Sequence, residues 1–363
     1  MNTIHRRCYV HVGCPKTGTS YLKSVLWASR EQLAAQGLEL PFSAPSDHFH
    51  LTLALRGMLD EEMDPPKAFS ILERLPLALA QTQTPRVIII HESLAPATTE
   101  QVRRLVNLLD GFQVHVIVTA RDLARQIPSG WQQRIQQRER MTYPDFLKAV
   151  VDRQPAALDF WINQDLLDIT ARWAADIPPD RMHLVTVPRT GARPGLLLDR
   201  FCSVLDVDPT SLQADTPREN PSLGAVQAEL LRRINVALGD RLPHPRAGYG
   251  RLGKRYLAGR VLASQGGTPP ELPHDRYEWC GRVSADVVAE LRRRGYDVVG
   301  DLDELLPVQP ADAPADAEVS EAAVAAAAAW AMADMLEQRE RDLSRIEALK
   351  ERATRPQRGR DVP

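Results

Sequence analysis

The residues best suited to chemistry stand in one short turn, Pro15-Lys16-Thr17-Gly18-Thr19-Ser20. The turn follows the apolar run "RRCYVHVG" and opens a helical pattern, so a strand-to-helix junction is expected there. At such a junction unpaired backbone N–H groups and the positive end of the helix dipole converge into a cradle for an anion. Gly13 and Gly18 keep the glycine spacing of a nucleotide-binding P-loop, G-x-x-x-x-G-K-[ST], but Thr19 stands where the lysine belongs. Without that lysine no clamp for a γ-phosphate is built. Lys16 points into the cradle from the loop side instead, while Gly18, Thr19 and Ser20 present amides and hydroxyls. Such a set suits a nucleotide with a 5′-phosphate and one further transferable group.

The elements that position this turn form an α/β pattern. "RVIIIHES" is a β-branched run typical of a parallel strand covered on both faces, "QVRRLVNLL" has helical spacing, and "FQVHVIVTARD" and "RMHLVTVP" are further strands. Strands alternating with helices predict a P-loop-like three-layer sandwich around a central, mostly parallel sheet. In such sheets ligands bind beyond the carboxyl ends of the strands. Three strand ends therefore matter: the loop after Val12, His91-Glu92-Ser93, and Arg121-Asp122.

The stretch "PKTGTS" resembles the 5′-phosphosulfate loop, P-K-[ST]-G-T-[ST], of sulfotransferases that use 3′-phosphoadenosine 5′-phosphosulfate (PAPS). The resemblance is to a bacterial subgroup and covers roughly residues 5 to 307. It implies a sulfuryl transfer to a hydroxyl acceptor (a carbohydrate, glycolipid or secondary metabolite), with PAPS as co-substrate and no metal required. It assigns the 5′ end of the nucleotide to Lys16, Thr17, Gly18, Thr19 and Ser20. It assigns the 3′-phosphate to Arg121 at a strand end and Ser129 eight residues on, with Arg125 as an alternative ligand. Tyr21 holds the position of an aromatic that stacks on adenine in many relatives, and core packing explains it equally well. The family's C-terminal cofactor segment, R-K-G-x-x-G-[DE]-W-K, has no counterpart; the basic stretch Arg246 to Gly259, with Arg251, Lys254 or Arg255, is the substitute.

In-line sulfuryl transfer needs a base for the acceptor proton and cations for the departing bisphosphate. Lys16 is assigned to the bridging oxygen, and the strand end "IIIHES" offers Glu92 and His91 as bases, with Glu92 favoured. If the strand continues, these two side chains point to opposite faces. His48 and His50 resemble a metal pair, but at i,i+2 they share no helix face, so a role lining the acceptor pocket is the better reading. Trp131 and Gln132 face either the acceptor or the core.

The rest of the composition sets bounds. A net charge of -2 gives no drive toward nucleic acid or a membrane surface. Four scattered cysteines without a C-x-x-C pair argue against a zinc site and against a disulfide framework. No apolar run approaches the ~20 residues needed to span a bilayer, and the first strand starts within a few residues, so a cytoplasmic location is expected. Residues 1–307 are expected to form the catalytic domain and 308–320 a linker. Residues 321–363 are expected to form an Ala-rich helix and tail, which is either solvated or a homo-oligomer contact. Two other functions fit the residues: a small-molecule kinase with a degenerate P-loop, and a non-catalytic scaffold assembling through residues 318–353.

Overall fold

A computed structural model describes residues 6–214, 223–242, 248–310 and 319–354. Six parallel strands form one sheet in the order β2-β3-β1-β4-β5-β6. Along the chain, β1 (Arg6–Gly13) leads into α1 (Thr19–Ala28), and β2 (Leu38–Glu39) is followed by α2 (Pro45–Leu55). Next come β3 (Arg86–Ile90), α3 (Thr99–Leu108), β4 (Phe112–Ala120) and α4 (Leu123–Ile135). After β5 (Met182–Thr186) come the helices α5 (Leu196–Leu205), α6 (Ala225–Leu238), α7 (Gly250–Leu262) and α8 (Tyr277–Arg294). β6 (Asp297–Val299) and the long α9 (Glu321–Thr354) follow, and further short helices join these elements.

The alternation of β1 sorts its side chains into two cores. Cys8, Val10 and Val12 join Val87, Ile89, Val116 and Val118 on one face, under Leu51, Leu105, Trp173 and Leu291. Tyr9 joins Ile88, Ile90 and Ile117 on the other face, under Leu22 and Leu26 of α1 and Phe201 of α5. Helices on both faces of a parallel sheet make the three layers the strand–helix alternation predicts, and the sheet is parallel throughout.

Compactness divides the chain into two units. The first comprises Met1–Gln133, Tyr143–Asn220 and Pro270–Ala317 and contains the whole sheet; the second comprises Arg134–Thr142, Pro221–Pro269 and Glu318–Pro363. In the second unit Tyr249 donates from its hydroxyl to Asn235 Oδ1 (2.6 Å), and Asn235 donates to the carbonyls of Ile135 and Glu139 (both 2.9 Å). Arg233 ties α6 to the start of α9 through Glu321 (2.6 Å). No helix among the described residues is long and apolar enough to cross a membrane.

Candidate functional site

The strand order explains why three distant segments meet. β1 lies between β3 and β4, so the chain leaves β1 toward one side of the sheet and later returns on the other. In sheets of this kind ligands bind in a crevice at such a switch point, beyond the carboxyl ends of β1, β3 and β4. The turn after β1, residues 91–92 after β3 and Arg121 after β4 stand at those three ends.

The turn is built by its sequence and clamped by distant residues. Gly13 has φ +113°, and a Cβ there would stand 3.2 Å from the Glu92 carbonyl oxygen, so only glycine lets β1 turn this close to the end of β3. Gly18, at φ +86°, caps the N-terminus of α1. Thr17 is buried, and its hydroxyl donates to the Cys14 carbonyl (2.5 Å). A carbonyl only accepts, so the Thr119 hydroxyl must donate to Thr17 Oγ1 (2.5 Å) and His11 Nε2–H to Thr119 Oγ1 (3.1 Å). Burial pushes His11 down to about 3, leaving it neutral with that single proton. The Thr119 carbonyl also accepts from the Cys14 amide (2.8 Å), and the Pro15 carbonyl accepts from Gln126 (2.9 Å) and Gln164 (3.2 Å). Thr17 thus uses its hydroxyl inside the fold, while Lys16, Gly18 and Ser20 are half-buried along the crevice side of the turn. Thr19 is buried, and Tyr21 is half-buried against the core shared by α1 and α5.

Arg121 and Ser129, assigned by the resemblance to a 3′-phosphate, meet each other. Arg121 donates through one terminal nitrogen to Ser129 Oγ (2.9 Å) and to the Arg125 carbonyl (2.8 Å). Its Nε is buried with no hydrogen-bond partner. Among the described residues no carboxylate stands within ion-pair distance of Arg121. Asp122, its neighbour, is held by the Arg125 side chain and by the Arg125 amide (2.9 Å). Arg125 also leaves a terminal nitrogen buried and unpartnered while donating to the Pro188 carbonyl (3.1 Å). Burial and the adjacent Arg125 charge pull the Arg121 guanidinium down to about 10, partly offset by Asp122. A buried cation without a counter-charge is costly, and an incoming anion relieves that cost.

The strand end carrying the two base candidates differs from a simple continuation of β3. β3 stops at Ile90; the His91 amide still donates to the His11 carbonyl (3.1 Å), and Glu92–Leu94 then winds into a 3₁₀ turn. The strand alternation that would place His91 and Glu92 on opposite faces therefore ends before Glu92. His91 Nδ1 accepts from the Ser93 amide (3.1 Å), which puts the proton of the neutral ring on Nε2. Burial lowers His91 to about 4, with Glu92 opposing and Lys23 reinforcing the shift. Glu92 has a buried Oε2 without a partner. Its burial opposes ionisation, but His91 and Lys23 outweigh it and hold the carboxyl below its ordinary range. At neutral pH, then, Glu92 offers a bare carboxylate oxygen and His91 offers a donor.

Lys23 is the charged neighbour of this strand end that the sequence reading passed over. It is the one charged side chain in the α1 sequence "TSYLKSVLWA", which was its visible signal, and it lies half-buried where its charge acts on Glu92, His91 and His11. Thr119, Gln126 and Gln164 were equally unmarked, since their role depends on contacts more than a hundred residues away.

The remaining candidates are placed as follows. His48 accepts at Nδ1 from the Ile90 amide (3.1 Å), completing the β3 edge where two-residue β2 no longer reaches; Trp27 and Phe42 pack edge-on to its ring. His48 and His50 are both buried on α2. No group of three His, Cys, Asp or Glu side chains among the described residues is placed to hold a metal ion. Trp131 and Gln132 are buried, Trp131 tilted against Tyr143 at 5.0 Å. Arg251, Lys254 and Arg255 lie on α7 of the second unit, a helix with i→i+5 hydrogen bonding rather than a loop, and Arg246 falls outside the described residues. No protein-family model matches the chain, and no curated protein or solved structure gives a significant match.

Proposed function

We propose that this chain is an enzyme that moves a sulfuryl group from PAPS to a hydroxyl on a carbohydrate, glycolipid or secondary metabolite. The observation that carries the reading is Arg121: a buried guanidinium, hydrogen-bonded to Ser129, lacking a carboxylate and with Nε unpartnered. A bound 3′-phosphate supplies the missing charge, and the fork of donors suits its oxygens. The turn from Lys16 to Ser20 adds a second anion site at the other end of the crevice, built for a phosphosulfate because no lysine follows Gly18. The residues present therefore fit the nucleotide, which when bound supplies the sulfuryl group.

The chain's own residues have separate duties. Gly18, Thr19 and Ser20 hold the 5′ end with amides and hydroxyls, Thr17 contributes its amide, and Tyr21 borders the cradle. Lys16 neutralises charge at the bridging oxygen as the bisphosphate departs. Glu92 Oε2 takes the acceptor proton, in preference to His91, whose Nδ1 is occupied and whose Nε2 carries a proton. His91 and Lys23 hold the Glu92 carboxyl below its ordinary range. The catalytic work lies within residues 1–307, with 308–320 as linker and 321–363 as helix and tail.

Thermal unfolding with added nucleotide tests this directly. 3′-Phosphoadenosine 5′-phosphate should raise the melting temperature well above the effect of ATP with Mg²⁺. Equal stabilisation by the two would sink the assignment and favour the kinase reading, whose metal-binding carboxylate would be Glu92.

A further inference from the structure

The second unit carries an apolar surface that nothing in the proposed reaction uses. α9 begins packed on its own unit, with Val324, Ala327 and Ala331 buried. From Arg339 to Lys350 every residue is exposed, so the helix continues beyond its packed part by about 1.5 Å per residue. Met332, Met335, Leu336, Leu343 and Ile346 fall within roughly 100° of one another on the helix, a stripe interrupted only by Arg339. Of the exposed large apolar side chains among the described residues, half lie on this one helix, including Leu336 at 71%. The stripe also forms one wall of a cleft of about 700 Å³, whose other wall is Leu252 and Tyr256 of α7, rimmed by Arg251 and Arg260. Soluble chains rarely leave so much contiguous apolar surface without a partner.

The geometry points to a second copy of this chain as the occupant: two α9 helices pair antiparallel, and each inserts Leu343 and Ile346 into the other's cleft. Charge decides against a lipid surface. Residues 337–352 carry Glu337, Glu340, Asp342, Glu347 and Glu351 against Arg339, Arg341, Arg345, Lys350 and Arg352, a neutral mixture. Membrane-surface helices concentrate Lys and Arg on the polar face. The mixture instead complements itself: Glu340 and Glu347, beside the inserted leucine and isoleucine, meet Arg251 and Arg260 on the partner's cleft. A parallel pair would leave both clefts empty.

Light scattering on the full-length protein across a concentration series tests the proposal. A mass of twice the 40.5 kDa chain is expected, with dissociation at least about tenfold easier in Leu336→Glu and Leu343→Glu. Both positions are exposed, so far-UV circular dichroism should stay unchanged. Oxidation of a mixture of Leu252→Cys and Ile346→Cys chains should yield a mixed disulfide in preference to Ile346→Cys paired with itself. A monomer at every concentration, a dimer indifferent to both Glu variants, or a monomer that sediments with phosphatidylglycerol vesicles would each overturn it.

Discussion

Two arginines next to neighbouring strand ends have opposite surroundings. Arg200, on α5, donates to the Thr186 carbonyl (2.9 Å) at the end of β5 and grips Glu304 with both terminal nitrogens (2.6 and 3.0 Å). Arg121, just past β4, has a hydroxyl and a carbonyl, no carboxylate, and a buried Nε without a partner. Both guanidiniums are largely withdrawn from water, so solvation does not account for the difference. Arg200 is complete within the fold and serves it. Arg121 is left incomplete by the fold, which supports the ligand site proposed for it.

Replacing both by the same residue gives the sharpest test of that contrast. Arg121→Met should weaken 3′-phosphoadenosine 5′-phosphate by about 4 kcal/mol, roughly a thousandfold, because two charge-assisted hydrogen bonds go. Its unliganded melting temperature should barely move, as no ion pair is lost; calorimetric titration and a thermal scan read the two effects. A large loss of stability with intact nucleotide binding would reverse the assignment.

Glu92→Gln separates the acceptor side from the anion side. It should lower kcat by about a hundredfold while nucleotide affinity stays put, the pattern of a lost general base. If His91→Ala does more damage to kcat than Glu92→Gln, the two roles are exchanged.

Arg200→Met should cost about 2 kcal/mol of stability by stranding Glu304, with nucleotide affinity unchanged in the folded fraction. Urea unfolding measures it, and a neutral result would mean that Arg200 is no more structural than Arg121.

A further effect concerns pH. Burial depresses His11 and His48 to about 3 and His91 to about 4, from an ordinary 6.5. The folded chain then holds fewer protons than the unfolded one between those values, so stability is full above 6.5 and falls as pH drops toward 4. The urea midpoint should decline from pH 7.5 to 5, less steeply in His48→Gln. A midpoint flat across that range would show that these rings are not held neutral by the fold.

Much of the site was legible because it is local. The turn after β1 needs Gly13 and Gly18 for their positive φ, and the eight-residue step from Arg121 to Ser129 brings those two together within one strand end and one helix. The helical pattern that opens at Thr19 breaks at Ser29, whose buried hydroxyl accepts from the Gln213 amide (2.8 Å), a partner no local pattern reveals. Lys23 was missed because helical spacing alone does not say which neighbour a charge faces.

By itself, the sequence determined the alternation of strands and helices, the glycine turn and the residue types at three strand ends, because these follow from backbone sterics and side-chain periodicity. Only the tertiary structure decided which of those groups stay unsatisfied. That Thr17 turns inward to Thr119, that Asp122 goes to Arg125, and that Arg121 and Glu92 each keep a buried polar atom without a partner depend on strand order. Hydrogen-bond satisfaction is a property of the assembled neighbourhood, and no single segment carries it.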